Sequence, residues 1–127
     1  MKNIIQKFAT WSLAGLMITF GLNKFLGFIP IEPPVDPTAQ NFLGAMFTSY
    51  LYVEVALFEM IGAVLLLIPK TKFVGWLLLL PIMLNIVVFH LAHDFIGNGI
   101  WILPISLFSI VGYYHKVNII SLISGKN

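Results

Sequence analysis

Apolar residues run almost unbroken through four stretches of the chain: Phe8 to Ile29, Tyr50 to Ile68, Phe73 to Leu91 and Ile100 to Tyr114. A helix needs about 20 mostly apolar residues to cross the hydrocarbon of a bilayer, so the first three predict spanning helices. The fourth is shorter, and the interfacial Tyr113 and Tyr114 with a continuation past Lys116 complete it. Trp11, Trp76 and Trp101 lie near segment ends, where aromatic rings anchor helices at the headgroups. Lys2 and Lys7 before the first stretch give it the look of a signal peptide. The run is longer than a signal's apolar region, however, and no small-residue cleavage pattern follows, so an uncleaved helix is expected.

The segments between these stretches are polar or helix-breaking. Pro30 to Pro37 holds four prolines and predicts a break in helix. Thr38 to Tyr50 mixes Phe42, Leu43, Met46 and Phe47 with Gln40, Asn41 and Thr48, the pattern of a short amphipathic helix at a membrane surface. Pro69-Lys70-Thr71-Lys72 predicts a tight turn, and His93 to Gly99 a second exposed connection. Lys2, Lys7, Lys70, Lys72, Lys116 and Lys126 then fall on one side of the bundle, while Glu32, Asp36 and Asp94 fall on the other. The positive-inside rule puts both termini in the cytoplasm.

Composition strengthens that picture and removes several functions. The 127 residues are 59% hydrophobic and 9% charged, with a mean hydropathy of +0.96. Soluble domains carry about 25% charged residues. The expected fold is therefore all-α: a polytopic membrane protein whose single domain, residues 1–127, is a four-helix transmembrane bundle. The absence of arginine argues against nucleic-acid or phosphate recognition. The absence of cysteine excludes disulfides, thiolate catalysis and iron–sulfur clusters.

Polar residues inside the apolar stretches carry the functional signal, because they are expensive in hydrocarbon and tend to face a bundle interior. Counted along the helices, Glu59 lies roughly 13 Å deep from Ile68, and Glu54 roughly 21 Å. Asn85 and His90 come out roughly 18 and 25 Å from Phe73, and Lys24 roughly 25 Å from Lys7. These residues therefore gather in one half of the bundle. Ala56, Gly62 and Ala63 flank Glu59 at helical spacing, a small-residue stripe that turns it toward other helices. Either it serves a function there or it fixes helix register. By depth, Lys24 matches Glu54 better than Glu59. Two readings of that match stay open: an ion pair, or Lys24 snorkelling to the surface. Asn85 follows Pro81 by one turn, where a freed carbonyl or a neighbouring helix can use its amide. His90, His93 and Asp94 share a helix face, but three groups at one helix end make a poor metal site, and none is expected.

Gly21-Leu22-Asn23-Lys24-Phe25, Glu59-Met60-Ile61-Gly62 leading into Leu65-Leu66-Leu67, and Pro81 with Asn85-Ile86 and Phe89-His90 together resemble the DoxX family. The resemblance spans the first three apolar stretches. It implies a small four-helix membrane protein, chiefly bacterial and so expected in the plasma (inner) membrane. Some relatives are membrane subunits of thiosulfate:quinone oxidoreductase, and others act in oxidative-stress responses. It carries forward Asn23, Lys24, Glu59, Asn85 and His90, and depth adds Glu54, as an intramembrane ligand-binding set.

Quinone is the candidate cofactor, with Asn23, Lys24, Asn85 and His90 as donors to its carbonyls and Glu59 as a proton relay. No second domain is present to hold a flavin, so full oxidoreductase activity implies a membrane or soluble redox partner. The lipid bilayer is an expected partner, nucleic acid is not, and a homo-oligomer stays open. The alternative is non-enzymatic: binding a lipid or other small hydrophobic molecule, or assisting membrane-protein assembly.

Overall fold

The computed structural model describes residues 2–95 and 99–125. Lys126 and the Ile96-Gly97-Asn98 part of the connection after His93 lie outside them. Among them the regular secondary structure is α-helix alone: α1 (Lys2–Leu26), α2 (Pro37–Phe47), α3 (Tyr50–Leu67), α4 (Lys72–His93), α5 (Ile102–Tyr114) and α6 (Lys116–Ser124).

Local chemistry sets the helix ends. Gly27 follows α1 with φ +64°, a left-handed conformation that glycine adopts without a Cβ penalty, and its N–H bonds Asn23 O at 2.8 Å. The proline-rich segment is non-helical only as far as Asp36. Asp36 caps α2 by accepting from Ala39 N at 3.0 Å, and Pro37 opens the helix. Helix tolerates proline in its first turn, where the missing N–H has no partner to lose. Ser49 caps α3 through Leu51 N. Pro81 lies inside α4, which nevertheless continues to His93.

The four longest helices close a ring in which α1 packs on α3, α3 on α4, α4 on α5 and α5 back on α1. Small residues set the closeness of these contacts. Gly75 of α4 sits so near α3 that a Cβ there would lie 2.6 Å from Gly62 O and 2.7 Å from Leu66 N. Gly21 of α1 meets Ala56 and Met60 of α3 in the same manner. Leu13, Met17, Leu66, Leu79, Met83 and Val111 fill the centre, fully buried.

The indole of Trp76 stacks on Phe108 at 4.6 Å between ring centres and donates to Phe108 O at 3.0 Å. Trp76 is therefore a core residue, not the headgroup anchor its position near a segment end predicts. A helix puts a side chain on its inner or outer face by angular position, which distance along the chain does not reveal. Trp11 is exposed, as an anchor requires.

Two of the helices, α3 and α4, are long and apolar enough to cross a membrane. Only 28% of each such window is buried, and apolar side chains including Val53, Leu57, Ile61 and Val64 of α3 and Val74, Leu84 and Val88 of α4 are exposed. The helix α5 is as apolar but has 13 residues. The chain continues past it into α6, none of whose residues is buried.

Glycine substitutions separate close packing from helix propensity. Gly75→Ala drives a methyl into backbone atoms and should lower unfolding free energy by about 1–3 kcal/mol. Gly15, with open space for 4 Å around the position a Cβ would take, should tolerate alanine and gain about 0.5–1 kcal/mol. Thermal unfolding of the two purified variants checks both signs.

Candidate functional site

One end of the bundle holds a cavity of about 1400 Å³. Its walls are the C-terminal part of α1, the first half of α3, the second half of α4 and the start of α5. The extended segment 30–36 and α2 complete the lining, and Phe42, Leu43, Met46 and Phe47 of α2 face it. Phe42 meets Phe89 of α4 with ring centres 5.5 Å apart, and Phe47 meets Tyr52 of α3 at 4.9 Å. Thus α2 adds its apolar side to the cavity wall, beyond the surface role that its amphipathic pattern predicts.

All six sequence-selected residues, Asn23, Lys24, Glu54, Glu59, Asn85 and His90, line this one cavity. Their circumstances differ. Lys24 Nζ sits 2.8 Å from Glu59 Oε2, with the lysine side chain 15% and the glutamate 5% exposed. The same ammonium lies 3.5 Å from Phe20 O, one turn back along α1. The ion pair is therefore Lys24–Glu59, and the Lys24–Glu54 pairing considered from depth is not formed. Glu59 shares the buried face of α3 with Ala56, Gly62 and Ala63, whereas Glu54, about 140° further around the helix, lies on an exposed face. A count of depth along the axis does not include this angular difference. Glu54 is exposed and forms no salt bridge among the described residues.

Asn23 is buried, and both ends of its amide are committed to one residue. Its Nδ2 donates to Ile29 O at 3.1 Å, and its Oδ1 accepts from Ile29 N at 2.6 Å. Its work is to hold the chain as it leaves α1, rather than to offer a free donor. Asn85 is exposed toward the cavity and has no hydrogen-bond partner among the described residues.

His90 Nδ1 lies 2.9 Å from Asp94 O, and a carbonyl oxygen only accepts, so Nδ1 carries the proton. In the neutral ring Nε2 is then an acceptor, which removes His90 from the donor set expected for a carbonyl ligand. His93 turns elsewhere, with Nδ1 3.5 Å from Asp36 Oδ2. That contact ties the cap of α2 to the end of α4. The two histidines therefore address different acids, although they share a helix face.

Sequence reasoning missed Trp101 as part of this lining. Its ring stacks on His90, 4.6 Å between centres and 7° from parallel. The sequence signal available was its place one helix after His90. The charge of the lining was also hidden. Glu32, Asp36, Glu54, Glu59 and Asp94 are all the acids of the chain, and every one lines the cavity, with Lys24 as its one lysine.

Compared with known proteins, the chain matches no family model, no curated protein and no solved structure.

The ion pair makes a prediction with a built-in control. Lys24→Met leaves Glu59 buried without its partner and should destabilise by about 3 kcal/mol, as should Glu59→Leu alone. The double variant Lys24→Met/Glu59→Leu should recover most of that loss. A double-mutant cycle from denaturant unfolding measures it, and additive losses would mean the two groups do not interact.

Proposed function

We propose that the chain is a DoxX-like integral membrane protein of the bacterial plasma membrane, and that its cavity binds a quinone. In this reading α1, α3, α4 and α5 with α6 form four spans, and both termini are cytoplasmic. The support for four spans is the outward-facing apolar surface together with the division of charge along the bundle. Lys7, Lys70, Lys72 and Lys116 lie toward one end, and the cavity with every acid toward the other. The protein serves as an accessory subunit in quinone-linked redox or oxidative-stress chemistry, and a partner supplies any further redox centre.

The observation that carries the quinone reading is the cavity itself: large, apolar-walled and aromatic, with a charged pair at its side. Quinones are neutral rings with hydrogen-bond acceptors and an apolar tail. An excess of carboxylates in the lining repels fatty acids and anionic phospholipids, and leaves a neutral ligand unaffected. The Lys24 ammonium keeps donor capacity beyond Glu59 and Phe20, and the Asn85 amide has no hydrogen-bond partner among the described residues. Reduction of a quinone takes up protons, and Glu59, bonded to Lys24 beside the cavity, is placed to pass one. The same lining charge favours one non-enzymatic alternative, an amphiphile with an amine headgroup.

Two measurements test this reading. Mass spectrometry of native protein in mild detergent should find a stoichiometric quinone, lost or much reduced in Glu59→Gln. A phospholipid or no ligand, the same in both proteins, would overturn the quinone assignment. For topology, the cysteine-free chain allows single reporters. A membrane-impermeant maleimide should label Glu32→Cys on intact cells and leave Lys70→Cys unlabelled; the reverse pattern would invert the orientation.

A further inference from the structure

The extended segment 30–36 and α2 cover the cavity, and this cover is held firmly at its two ends and lightly between them. At one end Asn23 clamps Ile29 through both ends of its amide. At the other, Ser49 caps α3 two residues after α2 stops. Across 30–47, Ala39 alone is buried.

Between its ends the cover is tied to itself. Asp36 caps α2 through Ala39 N, and Gln40 Nε2 donates to Pro34 O at 2.7 Å. Pro30, Pro33, Pro34 and Pro37 fix φ along the segment. The segment and the helix therefore form one stiff unit with an attachment on either side.

Its grip on the facing wall is weak. Among the described residues, the polar side-chain tie from this unit to α4 is Asp36 Oδ2 to His93 Nδ1, at 3.5 Å, with the two side chains 39% and 38% exposed. A charged contact that water reaches contributes little. Beside it Phe42 meets Phe89, and Phe42 remains exposed. Ile31, Val35 and Phe47 also line the cavity from the cover and are exposed. Apolar surface that stays wet gains free energy by closing over an apolar ligand.

We propose that residues 30–47 are the gate of the cavity. They swing as a body on their attachments at Ile29 and at Thr48-Ser49, away from α4 to admit a ligand and back to enclose it. The Asp36–His93 contact is the latch. The gate rests on the cavity being the binding site, whichever ligand it takes.

The test uses the cysteine-free chain, full length in mild detergent, with one reporter thiol and no ligand. Val55→Cys puts the thiol on the cavity wall, and Leu57→Cys puts it on an exposed face of α3 outside the cavity. The rate of reaction with a maleimide carrying a bulky fluorophore reads how often a molecule of ligand size is admitted. Asp36→Asn removes the charge of the latch and keeps the cap of α2, because asparagine caps as well as aspartate. His93→Ala removes the other half.

Each latch variant should speed labelling at position 55 about two- to fivefold, with labelling at position 57 unchanged. The two combined should do no more than either alone, because both break the same contact. Labelling at 55 that neither variant changes, or that already runs at the rate of the unfolded chain, overturns the gate. An equal rise at both positions means the variants loosen the whole bundle, and overturns it too. Effects that add in the double variant overturn the latch. No quinone enters the measurement, so the gate and the quinone assignment fail separately.

Discussion

Charge in a low-dielectric interior must be paired, and here the pair is Lys24 with Glu59. An ammonium and a carboxylate that separately are costly to bury lie 2.8 Å apart across α1 and α3. The small residues make this geometry available: Gly21 lets α1 approach Ala56 and Met60 of α3 one turn from the lysine. The pair in turn holds one ammonium at the wall of a cavity that the five acids of the chain also line. Replace the glycine with a larger residue and the helices separate; the pair then stretches, and the cavity wall moves with it.

Much of the architecture is legible in the sequence because hydrophobic periodicity and proline placement act locally. The four apolar stretches correspond to α1, α3, α4 and α5, and the turn at Pro69 to Lys72 separates α3 from α4. Where sequence and structure part, the missing term is spatial. Pro37 begins a helix because Asp36 caps it. Trp76 is core because its face of α4 meets α5. The partner of Lys24 is Glu59 because Glu59 is on the buried face of α3 and Glu54 is not, an angular difference that a count of depth does not include.

The site shows the same division. Expense in hydrocarbon is enough to select six residues that line one cavity, yet it does not separate their roles. Asn23 shapes a turn, His90 presents an acceptor, and Asn85 has no partner among the described residues. Only hydrogen-bond partners distinguish these cases. Trp101 escapes notice because tryptophan at a helix end has an ordinary explanation, and its stack on His90 becomes visible only when the atoms around it are known.

The separation of 35 residues between Lys24 and Glu59 also bears on how the protein is made. A ribosome adds about 5–20 residues per second, so α1 is complete some seconds before its counter-charge emerges. In the proposed membrane setting, a lone lysine near the end of α1 costs about 2–3 kcal/mol if it enters the hydrocarbon unpaired. The first helix therefore has reason to wait at the edge of the bilayer or the translocation channel until α3 arrives. The two would then enter as a hairpin, with α2 and the proline segment held outside as its loop. A contact that steadies the finished bundle thus also sets the order in which its parts can be inserted.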